Sequence, residues 1–243
     1  MNISLVGYGK MGRAIERIAR ERGHNICAIV DINNPDDILT PEFRAADVII
    51  EFTTPATAVA NYRRLLPLNI PLVSGTTGWT AELPQVKALV EQHRGEMLWS
   101  SNFSLGVNIL FELNRRLAAI MQRCREYVPS IHEVHHIHKL DHPSGTAITL
   151  AEDILNNDAD FTAWAETPAP QSVLITHERI GEEPGTHTVT WASPVDTLSI
   201  SHHSLSRDGL ALGAVLAAEW LPGHPGFHTM SALMAHILGR GNS

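Results

Sequence analysis

Short apolar runs and helix-spaced apolar positions alternate through the first hundred residues. ISLVGY (Ile3–Tyr8) has the length of a strand, and Met11, Ala14, Ile15, Ile18 and Ala19 then recur at helical spacing before Gly23. NICAIVD, DVIIEFT, IPLVSGT and EMLWSSN repeat the strand signal. Pro55 to about Leu66 and Thr80 to His93 repeat the helical one. Pro55 suits a first helical turn, where its missing N–H costs nothing. Strands alternating with helices predict βαβ units, hence an α/β fold with a doubly wound parallel sheet.

The pattern changes after Asn102. Leu105 to Arg125 reads as one long helix, with Ile109, Leu110, Leu113, Leu117, Ile120 and Met121 on its apolar side. The segments YVPSIHEV, SVLITHERI, THTVTWAS and DTLSISHHS are strand-like, and a helix from about Thr146 to Leu155 interrupts them. Short Gly/Pro turns between strands predict a second, α+β domain with a mixed, mostly antiparallel sheet. Asn156 to Gln171, with its prolines and acids, reads as a flexible loop. Helices are expected at Gly209–Trp220 and Thr229–Leu238.

Composition narrows the function. With 243 residues and 44% hydrophobic content, a buried core is within reach of one large domain or two small ones. Net charge is -8 and no Lys/Arg run occurs, so nucleic acid is not the expected partner. The cysteines, Cys27 and Cys124, form no C-x-x-C motif, which points to a reducing cytoplasm. Neither a signal peptide nor an apolar run of about 18 residues is seen, so no membrane association is expected.

GYGKMG (Gly7, Tyr8, Gly9, Lys10, Met11, Gly12) follows a strand and opens a helix. This G-x-G-x-x-G placement fits a dinucleotide loop of Rossmann type. Gly7 makes the tight turn, Gly9 admits the pyrophosphate, and Gly12 allows close helix–strand packing. Asp31 ends the second strand, where an acid accepts a hydrogen bond from the adenosine ribose. A carboxylate there repels a 2′-phosphate. Ile32, Asn33 and Asn34 follow, with no arginine at hand, so NADH is expected over NADPH. Gly75, Thr76 and Thr77 lie past the fourth strand. Ser100, Ser101, Asn102 and Phe103 lie past the fifth. Loops at these strand ends line the ligand crevice of such a sheet.

EVHHIHKLDHPSGT (Glu133–Thr146) concentrates titratable groups. A metal site needs about three converging ligands. The stretch holds no H-E-x-x-H motif, and Lys139 sets a positive charge beside any ion, so no metal is expected. A histidine-rich surface loop is the plain alternative in a chain with 14 histidines. The catalytic reading uses more of the residues. His135, His136 and Lys139 lie within five positions of one another, beside PSGT, which reads as a helix N-terminus. Unpaired N–H groups of Gly145 and Thr146 would hold an anion there. Proton donor, cation and anion cradle together suit an acidic substrate that is reduced and then protonated.

VGYGKMG, GTTG, NFSLGVN, E-x-HH-x-x-K-x-D-x-PSGTA and SRDGLALGAVLAAEWL together resemble the 4-hydroxy-tetrahydrodipicolinate reductase (dihydrodipicolinate reductase) family of bacterial lysine and diaminopimelate synthesis. The resemblance spans Gly7 to about Met234. It implies a Rossmann domain at 1–103, completed by C-terminal helices at 207–243, and a substrate-binding and oligomerisation domain at 104–206. It further implies NAD(P)H as cofactor, a cyclic dicarboxylate as substrate and a homotetramer built through the substrate-domain sheet. By motif, His135 and Lys139 are the implied proton donors. His136, Gly145 and Thr146 are implied substrate contacts, and the Gly7–Gly12, Asp31, Gly75–Thr77 and Ser100–Phe103 positions the implied cofactor shell. Arg207 falls in the late SR motif.

The chain departs from the family in a short link between Asp31 and Asp47, in Ser100 and Ser101 before NF, and in His142, where alanine is frequent. His132, His138 and His142 receive no role. Two other readings stay open. One is another Rossmann-fold reductase of amino-acid metabolism, against which PSGTA argues. The other is a non-catalytic, NAD-sensing relative, against which the intact His135/Lys139 pair argues.

Overall fold

A computed structural model describes residues 1–240, so the last three positions of the expected 207–243 segment lie outside the described residues. The chain divides into two compact units, Met1–Leu105 with the chain from Arg207, and Gly106–Ser206.

The first unit runs β1 (Asn2–Val6), α1 (Lys10–Glu21), β2 (Asn25–Val30), α2 (Pro41–Arg44), β3 (Val48–Glu51), α3 (Pro55–Leu65), β4 (Leu72–Ser74), α4 (Leu83–Gln92) and β5 (Glu96–Trp99). The second unit follows with α5 (Leu105–Met121), β6 (Val128–His135), α6 (Gly145–Leu155), β7 (Ala163–Ala165), β8 (Ser172–Arg179), β9 (Thr186–Ala192) and β10 (Thr197–His203). The chain then returns to the first unit with α7 (Asp208–Trp220), β11 (Gly226–His228) and α8 (Met230–Ile237).

The first sheet is parallel, in the order β11-β5-β4-β3-β1-β2. Its strands are short and apolar because both faces are covered. Alternation sorts them: Val48 and Ile50 join one core with α1, α7 and α8, while Ile49 joins the other with α3 and α4. Successive strands lie on opposite sides of β1, so the topological switch falls between β1 and β3. Small residues bring α7 close. A Cβ on Gly213 would stand 1.7 Å from the Phe103 carbonyl oxygen. β11 was not legible in the sequence, since Gly-Phe-His offers no alternation; it adds a sixth strand beside β5.

The second sheet has the order β10-β9-β6-β8-β7. β10–β9 and β9–β6 are antiparallel, whereas β6–β8 and β8–β7 are parallel. The sheet is mixed as expected, but half of its pairings are parallel rather than most being antiparallel. The reason is α6: a crossover carrying a helix returns the chain to run alongside β6. β7 also corrects the expected loop at Asn156–Gln171, because Ala163–Ala165 pairs with β8. The long helix stops at Met121, where the i→i+3 bonds of Arg123 to Ile120 and Cys124 to Met121 tighten the end.

Ala147, Leu150, Ala151 and Ile154 recur on one side of α6 and pack against Ile131, Ile175, Val189 and Trp191. The same sheet face continues into Glu133, His135 and His187, all buried. One end of the face is therefore apolar core, and the other carries titratable groups over the N-terminus of α6.

Candidate active site

The glycine loop builds the first part of the site. Gly7 has φ +92° and its N–H donates to Val30 O at 2.8 Å. A Cβ there would stand 2.1 Å from Phe52 O, and one on Gly12 would stand 2.3 Å from Gly7 O. Gly9 precedes α1 with no side-chain cap, and a Cβ there meets nothing within 4 Å. The protein itself does not need Gly9 bare, so the space above it suits a ligand. The first N–H groups of α1 at Lys10, Met11 and Gly12 point out of the helix end, with the positive end of its dipole.

Gly7, Tyr8, Gly9 and Asp31 line one cavity of about 600 Å³. The Asp31 side chain meets no partner among the described residues, and a ribose hydroxyl would satisfy it. These features fit a dinucleotide. The cavity also takes in Ile38, Thr53, Thr57, Asn61 and Arg64, none of which the sequence reading singled out. Arg64 corrects the expectation that no arginine lies near. It comes from α3, thirty-odd residues along the chain, and is held by Asp36 and Pro35 O, each at 2.9 Å.

The other loops sit at the ends of β4 and β5. The Thr76 hydroxyl donates to Glu51 at 2.9 Å, and its carbonyl accepts from the indoles of Trp79 and Trp99. Glu51 also accepts from Ser74, from the Thr53 amide and from the Thr53 hydroxyl. This fully buried carboxyl thereby ties the loops after β3 and β4, while burial pushes its pKa up. Gly75 has no room for a Cβ beside the Phe52 ring. Thr77 is exposed. Ser100 Oγ bridges the carbonyl and amide of Asn102, Ser101 is exposed, and Phe103 is buried against Phe52.

In the second unit, Glu133 organises the polar end of the sheet. Register places it opposite His187 on β9 and His177 on β8. Its oxygens accept from the Ser144 amide at 3.1 and 3.2 Å and from Arg179 at 3.2 Å. His135 Nδ1 and His187 Nε2 each lie 3.6 Å away. Burial alone would raise its pKa. The groups of His187 and Ser144, with His135 and Arg179, outweigh that and hold it at about 2.

Burial dominates at His135 and lowers its pKa to about 4. Glu133 opposes this, while His187, Lys139 and Arg179 add to it. At neutral pH the pair is thus an ionised carboxylate beside a neutral imidazole. The His135 ring also packs edge-on to His187, with centroids 5.0 Å apart.

Ser144 caps α6, accepting from the Ala147 amide at 3.2 Å. The amides of Gly145 and Thr146 meet no acceptor among the described residues, so the helix end can take an anion. Lys139 Nζ lies 2.6 Å from Asp141, and its carbonyl accepts from Arg179 Nε. His136 follows His135, half-buried, with Nδ1 unpartnered among the described residues. His138 turns to Glu182, His132 to Thr176 and His142 to Glu166, each away from Glu133. Glu133, His187 and Arg179 were missed in the sequence. The available signal was period two: Ile131, Glu133 and His135 share a face, as do His187, Val189 and Trp191.

Both halves of the chain match family models: residues 1–103 that of the dihydrodipicolinate reductase N-terminus, and residues 106–234 that of its C-terminus. A 4-hydroxy-tetrahydrodipicolinate reductase of Christiangramia forsetii is 42% identical over 240 residues, covering 98% of this chain and 99% of that protein. One from Archaeoglobus fulgidus is 34% identical, covering 95% and 98%. A dipicolinate-bound dihydrodipicolinate reductase from Paenisporosarcina sp. TG-14 has the same fold, with a TM-score of 0.79 at 20% identity over 94% of this chain and 97% of that one.

Proposed function

We propose a division of labour between the two units of this chain, which belongs to the dihydrodipicolinate reductase family. It is an NAD(P)H-dependent oxidoreductase that reduces 4-hydroxy-tetrahydrodipicolinate to tetrahydrodipicolinate in diaminopimelate and lysine synthesis. In our reading the first unit is the dinucleotide-binding domain and the second binds substrate.

The cofactor, when bound, supplies the hydride. Gly7, Gly9 and the first amides of α1 would hold its pyrophosphate, and Asp31 its ribose. The loops at Gly75–Thr77 and Ser100–Phe103 complete its shell. NADH is preferred because Asp31 repels a 2′-phosphate and the nearby Arg64 is already engaged by Asp36.

The observation that carries the substrate reading is the shared anchoring of His135 and the α6 N-terminus on Glu133. The free amides of Gly145 and Thr146 take a substrate carboxylate, with His136 as a further contact. Loss of water takes one proton from a ring carbon and gives one to the departing hydroxyl, and hydride addition is then completed by one further proton to the ring. His135 and Lys139 carry these protons. His135 is neutral without ligand, and a carboxylate brought beside it favours the protonated form, drawing the proton from solvent.

A homotetramer through the second sheet fits its face away from the helices. That face carries the hydroxyl pairs Thr188–Ser201 and Thr190–Ser199 with exposed Val128. A cytoplasmic setting fits two free cysteines, and no helix among the described residues is long and apolar enough to cross a membrane.

The deciding experiment follows NADH and NADPH oxidation with the product of the preceding synthase as substrate. Turnover with a higher kcat/KM for NADH is expected. NADH binding without turnover would favour a sensing relative, and a clear NADPH preference would remove the Asp31 argument.

A further inference from the structure

A second convergence of imidazole and carboxylate lies outside the Glu133 cluster. We propose that His142, Glu166 and His177 form a binding site for a first-row divalent cation of the zinc type. The three come from separate segments of the second unit. His142 precedes the helix-entering Pro143, Glu166 directly follows β7, and His177 lies on β8.

The distances suit ligands of one ion. His142 Nδ1 is 2.7 Å from Glu166 Oε1, and His177 Nδ1 is 3.4 Å from the same oxygen. All three donor atoms lie within 4.8 Å of one another. Metal–ligand bonds of about 2.1 Å at angles of roughly 90–110° place neighbouring donors about 3.0–3.4 Å apart. A hydrogen bond accounts for the first contact. The second is long for one, yet matches two donors sharing an ion.

The donor chemistry selects the ion. Two imidazoles and one carboxylate favour zinc or a similar first-row metal over magnesium or calcium, which prefer all-oxygen shells. Three protein ligands leave a position for water. The side chains are 49%, 36% and 32% exposed, so the ion can enter from solvent. The His142 and His177 rings are stacked, 4.2 Å between centroids and 22° between planes. An imidazole holds its metal in the ring plane, so binding turns the exposed His142 ring out of that stack.

Glu133, His135 and His187 also converge, but that cluster is closed to a cation. Arg179 and the Ser144 amide already occupy the Glu133 oxygens, and the guanidinium repels a second positive charge. Among the described residues the exposed triad has no such competitor: Glu166 is paired with the two imidazoles. A bound ion would fasten the loop before α6 to β7 and β8, two residues from the Ser144 cap. This site revises the metal-free expectation from sequence and does not depend on the reductase reading.

Isothermal titration of the untagged full chain with Zn²⁺, and absorption spectra with Co²⁺, test the site. One ion per chain and visible Co²⁺ bands of a four-coordinate site are expected. His142→Ala and His177→Ala should each weaken Zn²⁺ binding at least about tenfold, and the double variant should abolish it. Glu166→Gln, which preserves shape, should weaken it as well and serves if an alanine variant misfolds. Unchanged affinity in the double variant, or no Zn²⁺ binding by the unaltered chain, overturns the proposal.

Discussion

Ser144 Oγ and His187 Nε2 stand 3.1 Å apart, joining residues separated by 43 positions. Both side chains are buried. The hydroxyl caps α6 while it meets the imidazole beside Glu133, so one small side chain fastens a helix terminus to the sheet.

Removing that hydroxyl should therefore cost more than an exposed cap. Ser144→Ala orphans the Ala147 amide and removes the hydroxyl partner of His187, for an expected loss of about 1–3 kcal/mol in urea unfolding. His187→Ala should be coupled to it, so the double variant should lose at least roughly 0.5 kcal/mol less than the sum. Strict additivity would mean the contact carries no stability.

The proton-transfer assignment predicts large rate effects with little structural change. His135→Ala and Lys139→Ala should each lower kcat by about 10²–10⁴ while circular dichroism stays unchanged. Near-normal turnover in both would exclude them as the proton donors.

Stability should fall with acid, in a window set by His135. Its folded pKa of about 4 lies below the ordinary 6.5. Between these values the unfolded chain holds a proton that the folded chain lacks, so stability drops as pH falls from about 6.5 to about 4. Glu133, held at about 2 against 4.5, extends the loss below pH 4.5. Asp153 acts in the opposite sense. Burial raises it from 3.8 to about 6, so its protonation favours the folded state as pH falls through 6. His135→Asn isolates one contribution: its stability loss from pH 7 to pH 5 should be smaller than that of the unaltered chain by about 1–2 kcal/mol. Equal losses in urea titrations at both pH values would refute the His135 contribution.

Two glycines of one motif should fail differently. Gly12→Ala drives a Cβ into the Gly7 carbonyl and should destabilise the first unit by more than about 1 kcal/mol. Gly9→Ala meets nothing in the protein, so its melting temperature should hardly move while KM for NADH rises several-fold. If Gly9→Ala leaves KM unchanged, the pyrophosphate does not pass over Gly9.

Local pattern was enough for most elements. Apolar runs bounded by glycine and proline marked β1 to β5, and helical spacing marked α1, α3 and α7, because side-chain period reports directly on which face is buried. The G-x-G-x-x-G loop, Asp31 and the PSGT helix start were legible for the same reason: each is a contiguous stretch whose backbone geometry its own residues dictate. β7 and β11 were not, since three residues are too few to show a period and each exists only by pairing with a neighbour.

The histidine-rich stretch divides along that line. Sequence alone read a strand up to Val134, beside His135, and a helix start at PSGT, and β6 and α6 lie there with ends within a residue or two. Only the tertiary structure decided which groups surround them. Register across three strands set Glu133 between His187 and His177, burial left His135 neutral, and Arg179 arrived from a strand more than forty residues on. The same pairing turned His142 toward Glu166 and His177. Distances between residues far apart in sequence follow from sheet order and crossover, which no local pattern records, and the chemistry of the site depends on those distances.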